Sequence, residues 1–269
     1  MSEKSKGVVV FASNTDKIDY LEIAARCARL VQHTLNLPVT LITDDTQYQN
    51  TVFENIIRMD SLDNTNTKYY NNTTWAWRNK SRYKAYELTP YDTTILLDAD
   101  YLALSKNLAK LLDSNFDYLI IKDSYNTQEV LTQPMARGSI NYLWATVVIF
   151  NKTKISQNLF ELVARIENRY SYYCAMFNIF NQSYRNDYAF AMADLIINGY
   201  GLEQNKRVPW SMFTFDTEIK SLEMQNNAIV IRTDKTAHVV PVQDIHIMDK
   251  SYLLSDNYKR FLQEYTNAI

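Results

Sequence analysis

Two carboxylates near the middle of the chain are the residues best suited to chemistry. Asp98 and Asp100 flank Ala99 and directly follow the apolar run Thr93–Leu97. Hard divalent cations such as Mg²⁺ and Mn²⁺ prefer oxygen ligands, and a cation held by two carboxylates can also bind phosphate oxygens. The string Asp-x-Asp is short and common, however, so on its own it fits an acidic turn at the end of a strand equally well.

Basic and imidazole side chains elsewhere could complete such a site. Arg82 precedes Asp98 by sixteen positions, and the planar guanidinium group of arginine pairs well with phosphate oxygens. His246 and Lys250 share the late segment Asp244–Lys250. The alternative interpretation of His246 is a structural histidine on a buried strand.

A further polar pair, Asn186 and Asp187, stands at the start of a segment with helical spacing of apolar residues. Either residue could meet a substrate. Either could equally be a helix cap, because Asn and Asp side chains accept hydrogen bonds from the free backbone amides of a first helical turn.

Composition excludes several classes of protein. A chain of 269 residues with 46% hydrophobic and 22% charged residues is typical of a globular protein with one substantial core. Its four glycines leave no room for the glycine-rich turn of a dinucleotide-binding fold or for a P-loop. Cys27 and Cys174 have no neighbouring Cys or His at metal-ligand spacing, so a zinc module or a disulfide framework is not expected.

The polar start and the short apolar run Val8–Ala12 fit neither a signal peptide nor a membrane span. We therefore expect a cytoplasmic protein with no membrane partner. The net charge of −2 gives no overall attraction to nucleic acid. The oligomeric state does not follow from the sequence.

The elements that must position these residues alternate along the chain. Apolar runs predict strands at Val8–Ala12, Val39–Thr43, Asn55–Met59, Thr93–Leu97, Asp117–Ile121, Trp144–Phe150 and Ala228–Arg232. Helical spacing predicts helices at Leu21–Leu35, Trp77–Leu88, Ile155–Asn168, Asp187–Ile197 and around Tyr258–Tyr265.

This alternation predicts an α/β fold with a mostly parallel central sheet flanked by helices and a mixed C-terminal part. We find no linker or repeat, so residues 1–269 are expected to form a single domain. Ligands of open α/β sheets bind beyond the carboxyl ends of the strands, where Asp98 and Asp100 stand.

Two stretches without acidic residues carry basic and aromatic side chains. One runs between Asp63 and Glu87 and the other between Glu167 and Asp187. Basic residues interleaved with aromatics can hold phosphates and stack on bases, although many such aromatics belong to a core. Their members include Lys68, Tyr69, Tyr70, Trp75, Trp77, Arg78, Lys80, Arg82, Tyr83, Lys84, Tyr86, Arg169, Tyr170, Tyr172, Tyr173, Phe177, Phe180, Tyr184 and Arg185.

Residues 82–100 resemble the metal-binding region of the GT-A glycosyltransferases, in particular the family-eight group that includes glycogenin. The resemblance rests on Arg82, the helix end Leu88-Thr89-Pro90-Tyr91 and the apolar strand that enters Asp98-Ala99-Asp100. The late segment Asp244–Lys250 is similar to the family's His-x-x-Gly-x-x-Lys element, but Asp249 takes the glycine position and Lys250 comes early.

This resemblance implies a role for each residue. Asp98 would contact the nucleotide ribose and the metal, Asp100 and His246 would coordinate Mn²⁺ or Mg²⁺, and Arg82 and Lys250 would contact the diphosphate. The nucleotide ring of a UDP-sugar would lie near the end of the first strand, and the sugar and acceptor would lie near the Asn-Asp pair. The ring contacts would be Ala12, Ser13, Asn14 and Tyr20, and the pair is Asn186 and Asp187.

The expected function is metal-dependent transfer of a sugar from a nucleotide diphosphate donor to a hydroxyl group. The strings Leu88-Thr89-Pro90-Tyr91-Asp92 and Asp244-x-His246-x-Met248-x-Lys250 also resemble small glycosyltransferases of T4-like phages. That resemblance favours 5-hydroxymethylcytosine in duplex phage DNA as the acceptor and the host cytoplasm as the location. The alternatives are a carbohydrate or cell-surface glycan acceptor, a nucleotidyltransferase, and a non-catalytic nucleotide-sugar binding module.

Overall fold

A computed structural model describes residues 4–59, 67–70, 73–76, 80–127, 140–180, 183–201 and 206–268. The first residues of the predicted helix Trp77–Leu88 lie outside these ranges, as do the side chains of the aromatic stretch before Lys80.

Strands and helices alternate along the described chain, as the hydrophobic pattern predicts. Their order is β1 (Lys6–Phe11), α1 (Tyr20–Leu35), β2 (Val39–Thr43), β3 (Asn55–Arg58), β4 (Thr67–Tyr70), β5 (Thr73–Ala76), α2 (Ala85–Leu88), β6 (Thr93–Leu97), β7 (Tyr101–Leu102), α3 (Asn107–Leu111), β8 (Tyr118–Ile121), β9 (Ser124–Tyr125), β10 (Trp144–Asn151), α4 (Lys154–Asn168), α5 (Tyr170–Met176), α6 (Asn186–Ile197), β11 (Met212–Phe215), β12 (Ser221–Gln225), β13 (Ala228–Arg232), β14 (Ala237–Pro241), β15 (Ile245–Ile247), α7 (Lys250–Leu254) and α8 (Asp256–Ala268).

The central sheet has the strand order β3-β2-β1-β6-β10-β8. The first four strands are parallel, whereas β10 is antiparallel to both of its neighbours. The expectation of a mostly parallel sheet flanked by helices is therefore confirmed. Because β10 runs against β6, the start of β10 lies beside the end of β6, and the backbone N–H of Asp98 donates to the carbonyl of Thr146 at 2.9 Å.

Side chains of the inner strands are buried on both faces of this sheet. In β1, Val8 and Val10 join one apolar cluster with α1, α7 and α8, while Val9 joins the cluster on the other face with α4 and α6. Alternate residues of a strand point to opposite faces, so each inner strand must be apolar throughout. This explains why β1, β2 and β6 read as continuous hydrophobic runs rather than as alternating ones.

Helix α1 begins and ends where its sequence predicts. The side chain of Asp19 accepts a hydrogen bond from the amide of Glu22, and Asn36 ends the helix in the left-handed conformation with φ of 54°. Asparagine tolerates that conformation better than most residues. Within the described ranges, no helix is both long enough and apolar enough to cross a membrane.

The described residues form three smaller sheets, and of their strands the hydrophobic pattern predicts only β13. Their strand orders are β7-β15-β11-β9, β12-β13-β14 and β4-β5. Several of these strands are only two or three residues long, too short for a periodicity to be visible. In the described part of the helix predicted at Trp77–Leu88, Lys80–Lys84 form a 3₁₀ turn and Ala85–Leu88 form the short α2, which ends before Pro90 as predicted.

Position 7 of β1 must be glycine because the ring of Tyr91 packs directly over it. An added Cβ would come within 2.3 Å of the ring, which is buried and held by a 2.9 Å hydrogen bond between its hydroxyl and that of Thr40. We predict that Gly7→Ala lowers the free energy of unfolding by ~2 kcal/mol, as overpacking does in other cores. Urea denaturation measures this change. Combining it with Tyr91→Leu should reduce the added cost of the methyl group, and an undiminished cost would contradict the overpacking explanation.

Candidate active site

The polar ends of two neighbouring parallel strands lie at one edge of the central sheet. Ser13 and Asn14 follow β1, and Asp98 and Asp100 follow β6, which pairs with β1. The carboxyl ends of parallel strands meet at the same edge, so both polar segments lie at that edge.

Arg82 pairs with the first carboxylate. Its Nη1 donates a short hydrogen bond to Oδ1 of Asp98, and the whole residue is only 2% exposed. Its Nε and Nη2 atoms are buried and have no hydrogen-bond partner among the described residues. The guanidinium group is therefore anchored at one nitrogen and retains two unused donors at the edge of the sheet.

Asp100 is joined to the last third of the chain. Its Oδ2 forms a close ion pair with the ammonium group of Lys250, which also donates to the carbonyl of Ile247 at 3.0 Å. The Nε2 atom of His246 lies 3.6 Å from Oδ1 of the same carboxylate. These contacts form because β15 pairs with β7 and sets His246 opposite Tyr101. The expected convergence of Lys250 and His246 on the Asp-x-Asp string is thus observed.

The geometry of this cluster fits a divalent cation. One ligand atom each from Asp98, Asp100 and His246 lies within 4.8 Å of the others. Oδ1 of Asp100 is buried and has no hydrogen-bond partner among the described residues, which is costly for a carboxylate oxygen unless something else satisfies it. Two carboxylates and one imidazole form a donor set that suits Mn²⁺ or Mg²⁺.

The two carboxylates differ in their affinity for a proton. Burial raises the pKa of Asp98 to about 6, with Arg82 acting in the opposite direction and Asp100 adding to the rise. Burial also disfavours the charged form of Asp100, but Lys250 and His246 outweigh it and hold the pKa of that carboxyl well below its usual range. Asp100 is therefore the permanent negative charge of the pair.

Residues predicted to meet the nucleotide ring divide into two groups. The amide of Ala12 donates to the carbonyl of Ile42 in β2, and Oδ1 of Asn14 accepts a 3.0 Å hydrogen bond from the amide of Leu21, so both help to fix the start of the helix and the sheet. Ser13 has a buried hydroxyl without a partner in the described part of the chain. Burial and the charges of Asp100 and Asp98 raise the pKa of Tyr20 to about 12.

Asn186 and Asp187 do not cap α6. Asn186 is buried and accepts a 3.0 Å hydrogen bond from the hydroxyl of Tyr184. Oδ1 of Asp187 accepts from the backbone N–H of Ala145 in β10 at 3.0 Å, and Oδ2 accepts from Nη2 of Arg185 at the same distance. The interpretation as a simple helix cap is therefore wrong, since the Asp187 carboxylate faces the start of β10.

Three consecutive residues at the start of β10 connect the parts of the site. Trp144 has its ring 6.4 Å from that of His246, the amide of Ala145 holds Asp187, and the carbonyl of Thr146 holds the backbone of Asp98. Sequence reasoning missed Trp144 and Tyr142, whose rings lie 5.0 Å apart. Only the position of β10 next to β6 could have pointed to these two residues, and that position is not visible until the strand order is known.

Three basic residues of the two stretches are paired with acidic residues. Lys80 pairs with Glu167, Arg82 with Asp98 and Arg185 with Asp187. Two aromatic residues and one methionine of the second stretch are exposed, and so is a tyrosine that follows α6. They are Tyr172, Met176, Phe180 and Tyr200, of which Phe180 is 92% exposed. Trp77 and Arg78 lie outside the described residues, as do the side chains of Lys68, Tyr69, Tyr70 and Trp75.

Comparison with solved structures identifies the class of fold. No protein-family model and no curated protein matches the chain. Among solved structures the chain shares the GT-A-type fold of glycosyltransferases. Two structures of the galactosyltransferase LgtC, one of an active-site mutant and one with donor and acceptor sugar analogues, superpose with a TM-score of 0.54. Sequence identity is 13% and 14%, over 97% and 98% of this chain and 95% and 96% of LgtC.

The pairing of Arg82 with Asp98 generates a prediction about stability. We expect Arg82→Met to lower the free energy of unfolding by ~2 kcal/mol, because it leaves the Asp98 carboxylate without its cation in a largely buried site. Arg82→Lys should recover part of the loss, since a point charge replaces a planar group. Urea denaturation tests both variants.

Lys84→Met is the matched control for the Arg82 variants. Lys84 lies in the same 3₁₀ turn, is half-buried and forms no ion pair with a described residue. Equal losses of stability at positions 82 and 84 would contradict a specific role for the Arg82–Asp98 pair.

Proposed function

We propose that this protein is a glycosyltransferase that moves a sugar from a nucleotide diphosphate donor, UDP-sugar by resemblance, to a hydroxyl acceptor. The observation that carries the proposal is the convergence of Asp98, Asp100 and His246 at the strand ends of a GT-A-type fold. That arrangement combines a cation site with buried arginine donors, which is the combination that a departing diphosphate requires.

Unused hydrogen-bonding groups support a ligand at this position. Buried side-chain polar atoms are normally paired, so unpaired ones call for an explanation. Eight such atoms occur among the described residues, and six belong to residues that line this edge of the sheet. The six are Ser13 Oγ, Arg82 Nε, Arg82 Nη2, Asp100 Oδ1, Trp144 Nε1 and Arg185 Nε, and the other two are on Thr34 and Tyr170.

Each residue has a task in the proposed reaction. A bound divalent cation, held by Asp98, Asp100 and His246, would supply positive charge against the diphosphate. Arg82 offers its two unused donors to phosphate oxygens, and Ser13 offers its hydroxyl to the nucleoside. In the structure, Lys250 forms an ion pair with Asp100. In the proposed reaction it would also place a second positive charge beside the diphosphate.

Asp187 is the proposed residue at the sugar. Asn186 and Asp187 correspond by resemblance to the family's pair that meets the donor sugar and the acceptor. Retention of anomeric configuration is likewise inferred from the resemblance. If the reaction inverts instead, Asp187 is the carboxylate available as general base.

The first experiment is a thermal-shift screen of nucleotide sugars with and without Mn²⁺, followed by measurement of free UDP. A bound donor stabilises the folded state by mass action, so we expect a UDP-sugar with Mn²⁺ to raise Tm by about 5 °C at saturation. Slow release of UDP would separate an enzyme from a binding module, and release of pyrophosphate from a nucleoside triphosphate would instead indicate a nucleotidyltransferase.

Asp100→Asn should abolish both the shift and the UDP release, because it removes the permanent negative charge at the cation site. Asp113→Asn is the matched control, since Asp113 also pairs with a lysine, Lys6, but is exposed and belongs to another surface. Full activity of Asp100→Asn with Mn²⁺ would contradict the proposed site.

For the acceptor we propose 5-hydroxymethylcytosine in duplex DNA, on the phage resemblance and on the exposed aromatic side chains of Tyr172, Phe180 and Tyr200. The base would have to leave the helical stack to reach the sugar, and aromatic side chains can stack on bases. Helix α5 also contacts the segment that leads to Asp187, because the rings of Tyr170 and Tyr184 lie 5.1 Å apart.

A carbohydrate acceptor is the second candidate. The ion pairs of Lys80, Arg82 and Arg185 favour it, because these basic residues are already neutralised and add little attraction for DNA phosphates.

The two acceptors are separated by Phe180→Ser. If the acceptor is DNA, this change should lower labelling of hydroxymethylated DNA by about 10-fold without changing donor hydrolysis, because one base–aromatic stacking contact is lost. Val239→Ser, at another exposed apolar residue, should leave labelling unchanged. Efficient labelling of a saccharide with no labelling of DNA would assign the function to the second candidate.

A further inference from the structure

Both oxygens of the Asp187 carboxylate are already held by the protein. The amide of Ala145 donates to Oδ1, and Nη2 of Arg185 donates to Oδ2, each at 3.0 Å. The hydroxyl of Tyr142 forms a further hydrogen bond with this carboxylate. Since a carboxylate accepts about two hydrogen bonds per oxygen, about one acceptor site is left for a substrate. The plane of the carboxylate is thereby fixed by one backbone donor and two side-chain donors.

Arg185 is itself held in place. The same Nη2 atom donates to the hydroxyl of Tyr142 at 2.9 Å. Its guanidinium carbon lies 5.7 Å from the ring centre of Tyr142 and 5.4 Å from that of Tyr188, and these two rings meet edge to face. A cation over two aromatic faces is stabilised by both rings. The guanidinium group therefore has little freedom to leave Asp187.

The guanidinium group of Arg185 is also connected to the candidate site. Tyr142 packs on Trp144, and Trp144 packs on His246, so Arg185 is connected through two rings to a proposed metal ligand. Asp187 is close enough to Asp98 to raise its pKa. Three carboxylates thus share one region, and mutual repulsion would otherwise turn the Asp187 carboxylate away from the other two.

We infer that Arg185 is a positioning residue that fixes the orientation of the Asp187 carboxylate toward the sugar. This inference rests on the proposed function. In this role Arg185 acts through Asp187, so its removal should slow the chemical step while leaving the binding of the donor largely intact. The aromatic pair formed by Tyr142 and Tyr188 is what makes arginine, with its flat guanidinium group, suited to this position.

A double-mutant cycle with steady-state kinetics tests the inference. Arg185→Met should lower kcat for UDP-sugar turnover by about 100-fold with little change in donor KM, the size of loss expected when a catalytic group is misplaced by about 1 Å. Arg185→Lys should recover part of kcat. In the Asp187→Asn background, Arg185→Met should cause no further loss, because the residue through which it acts is already altered.

Arg232→Met is the matched control, since Arg232 forms a 3.1 Å pair with Glu223 on a separate small sheet. A kcat for Arg185→Met within twofold of wild type, or losses that multiply in the double variant, would overturn the inference while wild-type turnover continued to support the proposed function. Absence of turnover by the wild-type protein with every nucleotide sugar would overturn the proposed function, and this inference with it. A lower Tm of Arg185→Met, together with changes in KM and kcat by similar factors, would show a merely structural role. That result would also overturn the inference.

Discussion

The arrangement of this site depends on the need to compensate three carboxylates that lie close together in a largely buried region. Each has a cation of its own: Arg82 for Asp98, Lys250 for Asp100 and Arg185 for Asp187. An uncompensated buried charge costs several kcal/mol, so the cations are required before any ligand arrives. The three cations come from a 3₁₀ turn, from the helix after β15 and from the residue before α6, and these segments must therefore pack around the end of β6.

The same constraint explains the strand order. The Asp-x-Asp string follows the end of β6. Because β10 is antiparallel to β6, the start of β10 lies beside that end. Trp144, Ala145 and Thr146 then reach the histidine, the third carboxylate and the backbone of Asp98 in turn. A parallel strand in that position would have presented its other end, and Asp187 would have lacked its backbone donor.

The strands of the central sheet could be predicted from the sequence. Continuous apolar runs identified β1, β2 and β6 because strands buried on both faces must be apolar throughout, and the resemblance to the GT-A metal-binding region assigned Arg82, Asp98 and Asp100 to one site, where Arg82 and Asp98 form an ion pair. The short strands β7 and β15 could not be found, since two or three residues carry no periodicity, although their pairing is what brings His246 to Asp100. The pairing of Lys80 with Glu167 could not be predicted either, because the two residues lie far apart in the sequence.

The contact between β7 and β15 also governs when the site can exist during synthesis. Asp100 and Lys250 lie 150 residues apart in the chain, and the two strands are joined by only two residue pairs and by the hydrogen bond from the amide of Ile247 to the carbonyl of Asp100. Contacts so distant in sequence form late, because a long loop must be closed first. On the ribosome, the Asp-x-Asp string therefore emerges without its histidine or its lysine, and at synthesis rates of about 5–20 residues per second it waits roughly ten seconds or more for them.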